Sequence, residues 1–101
     1  MVARRRLHVA TEAATDLAEA HGWLLQPGSG ISARRRYDAL VHAIQALVHH
    51  PVRYRRLFDD PTRRMLVVRE YRVIYTVNPD TGDNRTAGDV TVLAVLGPGE
   101  P

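Results

Sequence analysis

The chain has 101 residues, of which 45% are hydrophobic and 25% charged, the proportions of one small globular domain. It contains no cysteine, which excludes disulfide scaffolds, thiolate zinc sites, iron–sulfur clusters and cysteine nucleophiles. The formal net charge is +3, and all 14 of its basic residues are arginines. A domain of this length buries about 65% of its unfolded surface, enough for a single core across residues 1–101. No apolar run approaches the ~18 residues of a membrane span. Met1 to His8 is basic and lacks the apolar stretch of a signal peptide, so the sequence implies a cytoplasmic protein with no membrane partner.

In chain order, Arg6 to Ala10 alternates loosely and predicts a short first strand. Thr11 offers an N-cap and Glu12 a favourable first-turn charge. Ala14, Leu17, Ala18, His21 and Leu25 recur at helical spacing, predicting a helix over about residues 12–25. Gln26 to Gly30 breaks it. Tyr37, Leu40, Val41, Ile44, Leu47 and Val48 form a cleaner stripe, and this second helix is expected to stop at His50, because Pro51 cannot continue the ladder. Residues 52–58 fit either a strand or a loop.

Beyond them the period changes from 3.6 to 2. Arg64–Val68 and Arg72–Val77 are rich in β-branched and aromatic residues and predict an antiparallel hairpin closed by Arg69-Glu70-Tyr71. Asn78 to Asn84 is dense in turn formers. Asp89 to Leu96 predicts a last strand, with Val90, Val92 and Ala94 on one face and Thr91, Leu93 and Val95 on the other, apolar on both and so covered on both. The expected class is α+β, an N-terminal strand and a helical hairpin packed on a small antiparallel sheet.

Charge is unevenly placed. Arg4, Arg5 and Arg6 form one cluster and Arg34, Arg35 and Arg36 another. Arg53, Arg55, Arg56, Arg63, Arg64, Arg69 and Arg72 face only Asp59, Asp60 and Glu70 between residues 53 and 72. The chain beyond Asn78 reverses sign. A basic middle on a weakly charged protein points to an anionic partner, nucleic acid or an acidic protein segment, and the guanidinium fork pairs with either phosphate or carboxylate.

Catalytic chemistry finds little support. His49 and His50 point about 100° apart on a helix, His42 has no acidic neighbour, His21 fits a core edge, and His8, in a strand, is the one histidine with a cleft-facing reading; no metal site is expected. Ser and Thr are scattered without a nucleophile elbow, and no glycine-rich phosphate loop exists. Asp59-Asp60 before Pro61 reads as a turn. Arginines stabilise a phosphorane by charge, yet they stay protonated and need a partner for proton transfer. No cofactor is expected.

The segment Arg64-Met65-Leu66-Val67-Val68-Arg69-Glu70-Tyr71-Arg72-Val73-Ile74-Tyr75-Thr76-Val77, followed by Val90-Thr91-Val92-Leu93-Ala94-Val95, resembles the RelE/ParE superfamily of type II toxins. There an Arg-x-Leu-x-Val strand turns into a Tyr-Arg-Val-Ile-Tyr strand before a loop and a final Val/Ile-rich strand. The short first strand, the helical hairpin and the Leu47–Pro51 exit fit the same order. The resemblance implies a growth-inhibiting toxin, a hetero-oligomer with a cognate antitoxin, and a target that is either DNA gyrase or the ribosome with its mRNA. It places Arg64 and Arg72 at the basic groove positions, which would be catalytic in a nuclease. It further implies that Arg35, Arg55, Arg64 and Arg72 meet antitoxin carboxylates, with Arg53, Arg56 and Arg63 in the same antitoxin- or target-binding array. The short turn before Tyr71 looks more ParE-like, and Leu96-Gly97-Pro98-Gly99-Glu100-Pro101 lacks the basic and aromatic tail of the nuclease members. A gyrase-binding, non-enzymatic toxin is therefore the leading expectation. A RelE-like ribosome-dependent mRNA interferase and a degraded, non-toxic antitoxin-binding module are the alternatives.

Overall fold

The computed structural model describes residues 4–100. The elements run β1 (Leu7–Val9), α1 (Thr11–Leu24), α2 (Gly30–Ala46), β2 (Arg64–Val68), β3 (Tyr71–Asn78) and β4 (Asp89–Leu96). They build one four-stranded sheet in the order β1-β4-β3-β2. β2, β3 and β4 are antiparallel neighbours, as expected, whereas β1 joins β4 in parallel, Leu7 opposite Val90 and Val9 opposite Val92. The sheet is therefore mixed. The parallel pairing follows from the connection: the chain leaves β1 into a helical hairpin and returns by β2 and β3.

Both helices join one core with one face of the sheet. Ala13, Ala20 and Leu24 of α1 and Leu40 and Ile44 of α2 pack with Leu66, Val73, Tyr75, Val77, Val90, Val92 and Val95. The α2 stripe is the expected one. In α1 the buried line is Ala13, Leu17, Ala20 and Leu24, while Ala14, Ala18 and His21 are exposed. Small alanines recur on both lines, so hydropathy alone did not choose between them. Thr11 opens the helix rather than capping it; Ala10 is the N-cap and contributes no side-chain bond. α2 ends at Ala46, and turns carry the chain to Pro51, which is buried.

In β4 the two faces differ from the expected alternation. A register shift against Ile74 and Tyr75 leaves Leu93 as an extra residue, and a bulge of this kind changes the parity of every side chain beyond it. Val95 thereby joins Val90 and Val92 in the core, and Ala94 leaves it. The opposite face is half-buried at Thr91, Ala94 and Leu96 and carries no helix among the described residues.

Side chains fasten the loops to this frame. Arg5 donates to the carbonyls of Ala87 (3.0 and 2.8 Å), Asn84 (2.7 Å) and Val48, binding the first strand's approach to the end of α2 and to the β3–β4 loop. Asn84 Oδ1 accepts from Val52 N–H at 2.9 Å. Gly88 lies where a Cβ would stand 2.0 Å from the Asn78 carbonyl oxygen, so this loop closes only around a residue without a side chain.

Candidate partner-binding site

The ambiguous segment after Pro51 turns out to be the outer wall of β2. Met65 N–H donates to the Arg55 carbonyl (3.0 Å), Leu57 N–H donates to the Arg63 carbonyl (2.8 Å), and Arg56 bridges Arg64. The sequence left strand and loop both open there, and the outcome lies between them: a single bridge and two flanking backbone bonds rather than a strand. Tyr75 fixes the segment from below: its hydroxyl, fully buried, donates to the Pro51 carbonyl at 2.8 Å, and burial pushes its phenol up.

Arg64 sits at the centre and is buried. It lies on the core face of β2 opposite Tyr75 and is only 6% exposed. Its guanidinium holds Asp80 in a two-pronged pair, Nε to Oδ2 at 2.8 Å and Nη2 to Oδ1 at 3.0 Å. The remaining nitrogen donates to the carbonyls of Tyr54 (2.7 Å) and Val52 (3.3 Å). The hydrogen bond from Arg64, aided by Arg56, draws the Asp80 carboxyl down to about 2 against the cost of its burial, and Asp80 in turn raises Arg64. Arg64 therefore ties Asp80 and the segment after Pro51 together from inside the groove. Asp80, which the sequence reading assigned to a turn, is the group that makes this possible.

The other arginines divide by position. Arg53 and Arg55 are exposed and line a groove of about 700 Å³ with Val52, Tyr54, Met65 and Val67, floored by Arg64. The Arg53 guanidinium stands 5.6 Å from the centre of the Tyr54 ring. Arg56 reaches Asp80 at 3.2 Å and Arg63 reaches Asp60 at 3.2 Å, both with nearly half the side chain in solvent; such pairs are weak and easily exchanged for a partner's carboxylate. Arg72 lies on the helix-free face, level with Val67 and Leu96, and donates to the Glu100 carbonyl. Arg35 is exposed on α2 and does not line the groove. Thus Arg53, Arg55 and Arg64 are brought together, Arg56 and Arg63 flank them, and Arg35 and Arg72 stand apart.

Two apolar residues escaped notice in the sequence. Phe58 is fully exposed, and Val67 is 58% exposed on β2. Met65 turns its N–H away from β3, and Val67, two residues on, has the same orientation. Its outward backbone groups have no partner among the described residues, so the strand edge is open beyond the Arg55 contact. His8, His21, His42, His49 and His50 are all exposed, and among the described residues no three His, Asp or Glu side chains gather as a metal site. No helix is long and apolar enough to cross a membrane.

The described geometry is that of a known structural group. The computed fold superposes on a solved structure titled "Chromosomal ParDE TA system from P. aeruginosa" with a TM-score of 0.69 and 14% identity, covering 94% of this chain and 97% of that one. A search of curated proteins finds no match to the sequence. The sequence model of the family described as "ParE toxin of type II toxin-antitoxin system, parDE" matches residues 7–97. Since that match takes in every strand and both helices, the chain belongs to the ParE toxin family of type II toxin–antitoxin systems.

Proposed function

We propose that this toxin arrests growth by binding DNA gyrase and that a cognate antitoxin neutralises it in the cytoplasm by covering the basic edge of β2. The observation that carries the reading is the division of labour among the arginines. Arg64 is consumed by Asp80 and two carbonyls, while Arg53 and Arg55 remain exposed beside Tyr54, Val67 and an open strand edge. An acidic, extended segment of a partner satisfies all of these at once: its backbone pairs with Val67, its carboxylates meet the guanidinium groups, and its apolar side chains cover Val67 and Phe58. The same array suits a hetero-oligomer with an antitoxin tail that folds on binding.

Phosphodiester cleavage asks for more. It needs a proton donor for the leaving oxygen, and a guanidinium does not give up its proton. Among the residues lining the groove only Tyr54 carries a proton suited to that task. The competing mRNA interferase reading therefore makes its own demand, that Tyr54→Phe abolish cleavage. Purified gyrase with plasmid DNA, run beside mRNA-programmed ribosomes, decides between them. The reading predicts lost supercoiling or trapped DNA breaks with intact mRNA; cut mRNA with unaffected gyrase overturns it.

A further inference from the structure

A cavity of about 330 Å³ opens between α1, the start of β3, the end of β4 and the tail that follows it. It shares no residue with the basic groove. Its charged lining is entirely acidic, Asp16, Glu19 and Glu100, in a chain whose net charge is +3. The backbone occupies one carboxylate oxygen of Asp16, from Val95 N–H at 2.8 Å, and one of Glu100, from Gly97 N–H at 3.1 Å. Glu19 has no partner among the described residues.

Two aromatic rings complete the cavity. Trp23 is 70% exposed, an unusual condition for the largest apolar side chain. Tyr71 is 7% exposed, yet its hydroxyl has no hydrogen-bond partner among the described residues and is not sealed from solvent. Tyr71 lines this cavity and also the one beside it, which Arg36, Arg69 and Glu70 line with it, and a polar group so deeply set and still unpartnered leaves a hydrogen bond to be met. Burial first, and then the Glu100 carboxylate, push its phenol up, against the Arg36 guanidinium, which pulls it down.

We propose that this cavity binds an alkyl cation, the guanidinium or ammonium end of a basic side chain or of a small polyamine. Glu19 and Glu100 pair with the charge, the Tyr71 oxygen accepts a hydrogen bond from it, and the alkyl stem lies against Trp23. An anion meets three carboxylates here, and a neutral apolar ligand leaves them unpaired, so neither chemistry fits.

Trp23 is the chain's one tryptophan and lines both this cavity and the one beside it, so its fluorescence reports a ligand at either, and Glu19→Gln, in the lining of this cavity and not of the other, assigns the change. The full-length protein is titrated with N-acetyl-arginine amide, with spermidine and with N-acetyl-citrulline amide, the neutral isostere of the first. A saturable change is expected with the charged probes and none with citrulline. Saturation by arginine amide alone identifies a protein side chain as the natural occupant; saturation by spermidine as well identifies a site open to free polyamines. Glu19→Gln and Tyr71→Phe, both mild changes, should each weaken binding about three- to tenfold. A response that never saturates, equal responses to arginine and citrulline amides, or unaltered affinity in both variants overturns the proposal.

Discussion

Arg64 and Asp80 are separated by 16 positions in the chain, and no local pattern pairs them. As sequence, Arg64 is one of seven arginines in a basic stretch and Asp80 one of several turn formers. Only the hairpin register, which sets Arg64 opposite Tyr75 on the core face, reveals that the cation is buried and needs a counter-ion. Removing one member of such a pair leaves the other charge poorly solvated. Arg64→Ala is expected to cost about 3 kcal/mol, read as a lower urea midpoint, whereas Arg53→Ala and Arg55→Ala should leave stability within about 0.5 kcal/mol. Asp80 adds a pH signature. Its carboxyl is held at about 2, below its ordinary 3.8, so between these values the unfolded chain binds more protons than the folded one. The pair's contribution is complete above about pH 4 and is lost as pH falls through 2. A plot of urea midpoint against pH should show this acid limb, and Asp80→Asn should flatten it while lowering stability at neutral pH.

At the level of elements, periodicity revealed whatever one face decided. The α2 stripe was legible because it buries a single line of side chains, and the β2–β3 hairpin and β4 because β-branched and aromatic residues fill them. The α1 line was not, since alanines fill both of its candidate faces. The Leu93 bulge and the parallel seat of β1 depend on partners far along the chain. The turn between β2 and β3 carries a local tension: Arg69 adopts a φ of +54°, a left-handed conformation that costs an L-residue with a Cβ about 1 kcal/mol. Arg69→Gly should therefore raise stability by about 0.5 kcal/mol, the backbone relief being partly offset by the entropy of glycine in the unfolded chain. Differential scanning calorimetry checks it, and a fall in melting temperature would show that the Arg69 side chain supplies more than the turn loses.

For the molecule as a whole, the exposed arginines Arg53 and Arg55 gather on one surface. The basic middle does mark a surface, but its most conspicuous arginine by motif is internal, and its apolar members, Phe58 and Val67, carried no signal of exposure in the sequence. Phe58 lies between α2 and β2, and Val67 lies on the edge strand β2; whether such residues are covered depends on what packs against them, which a single sequence does not state. Phe58 offers a clean separation of binding from folding. Fully exposed, it contributes nothing measurable to stability, so Phe58→Ala should leave the melting temperature unchanged while weakening antitoxin binding by roughly tenfold if it anchors the partner. Binding to the Arg53–Arg55 surface should also weaken with added salt, because the exposed guanidinium groups act through a screened field.

The proposed toxin works by holding a protein rather than by cutting RNA. The most direct measurement induces the chain in cells lacking its antitoxin and follows bulk translation and DNA-damage signalling in one culture. Damage signalling that precedes any fall in translation is the predicted result, and it should persist in Tyr54→Phe. Prompt translation arrest without damage, abolished by Tyr54→Phe, would contradict the account and move the target to the ribosome.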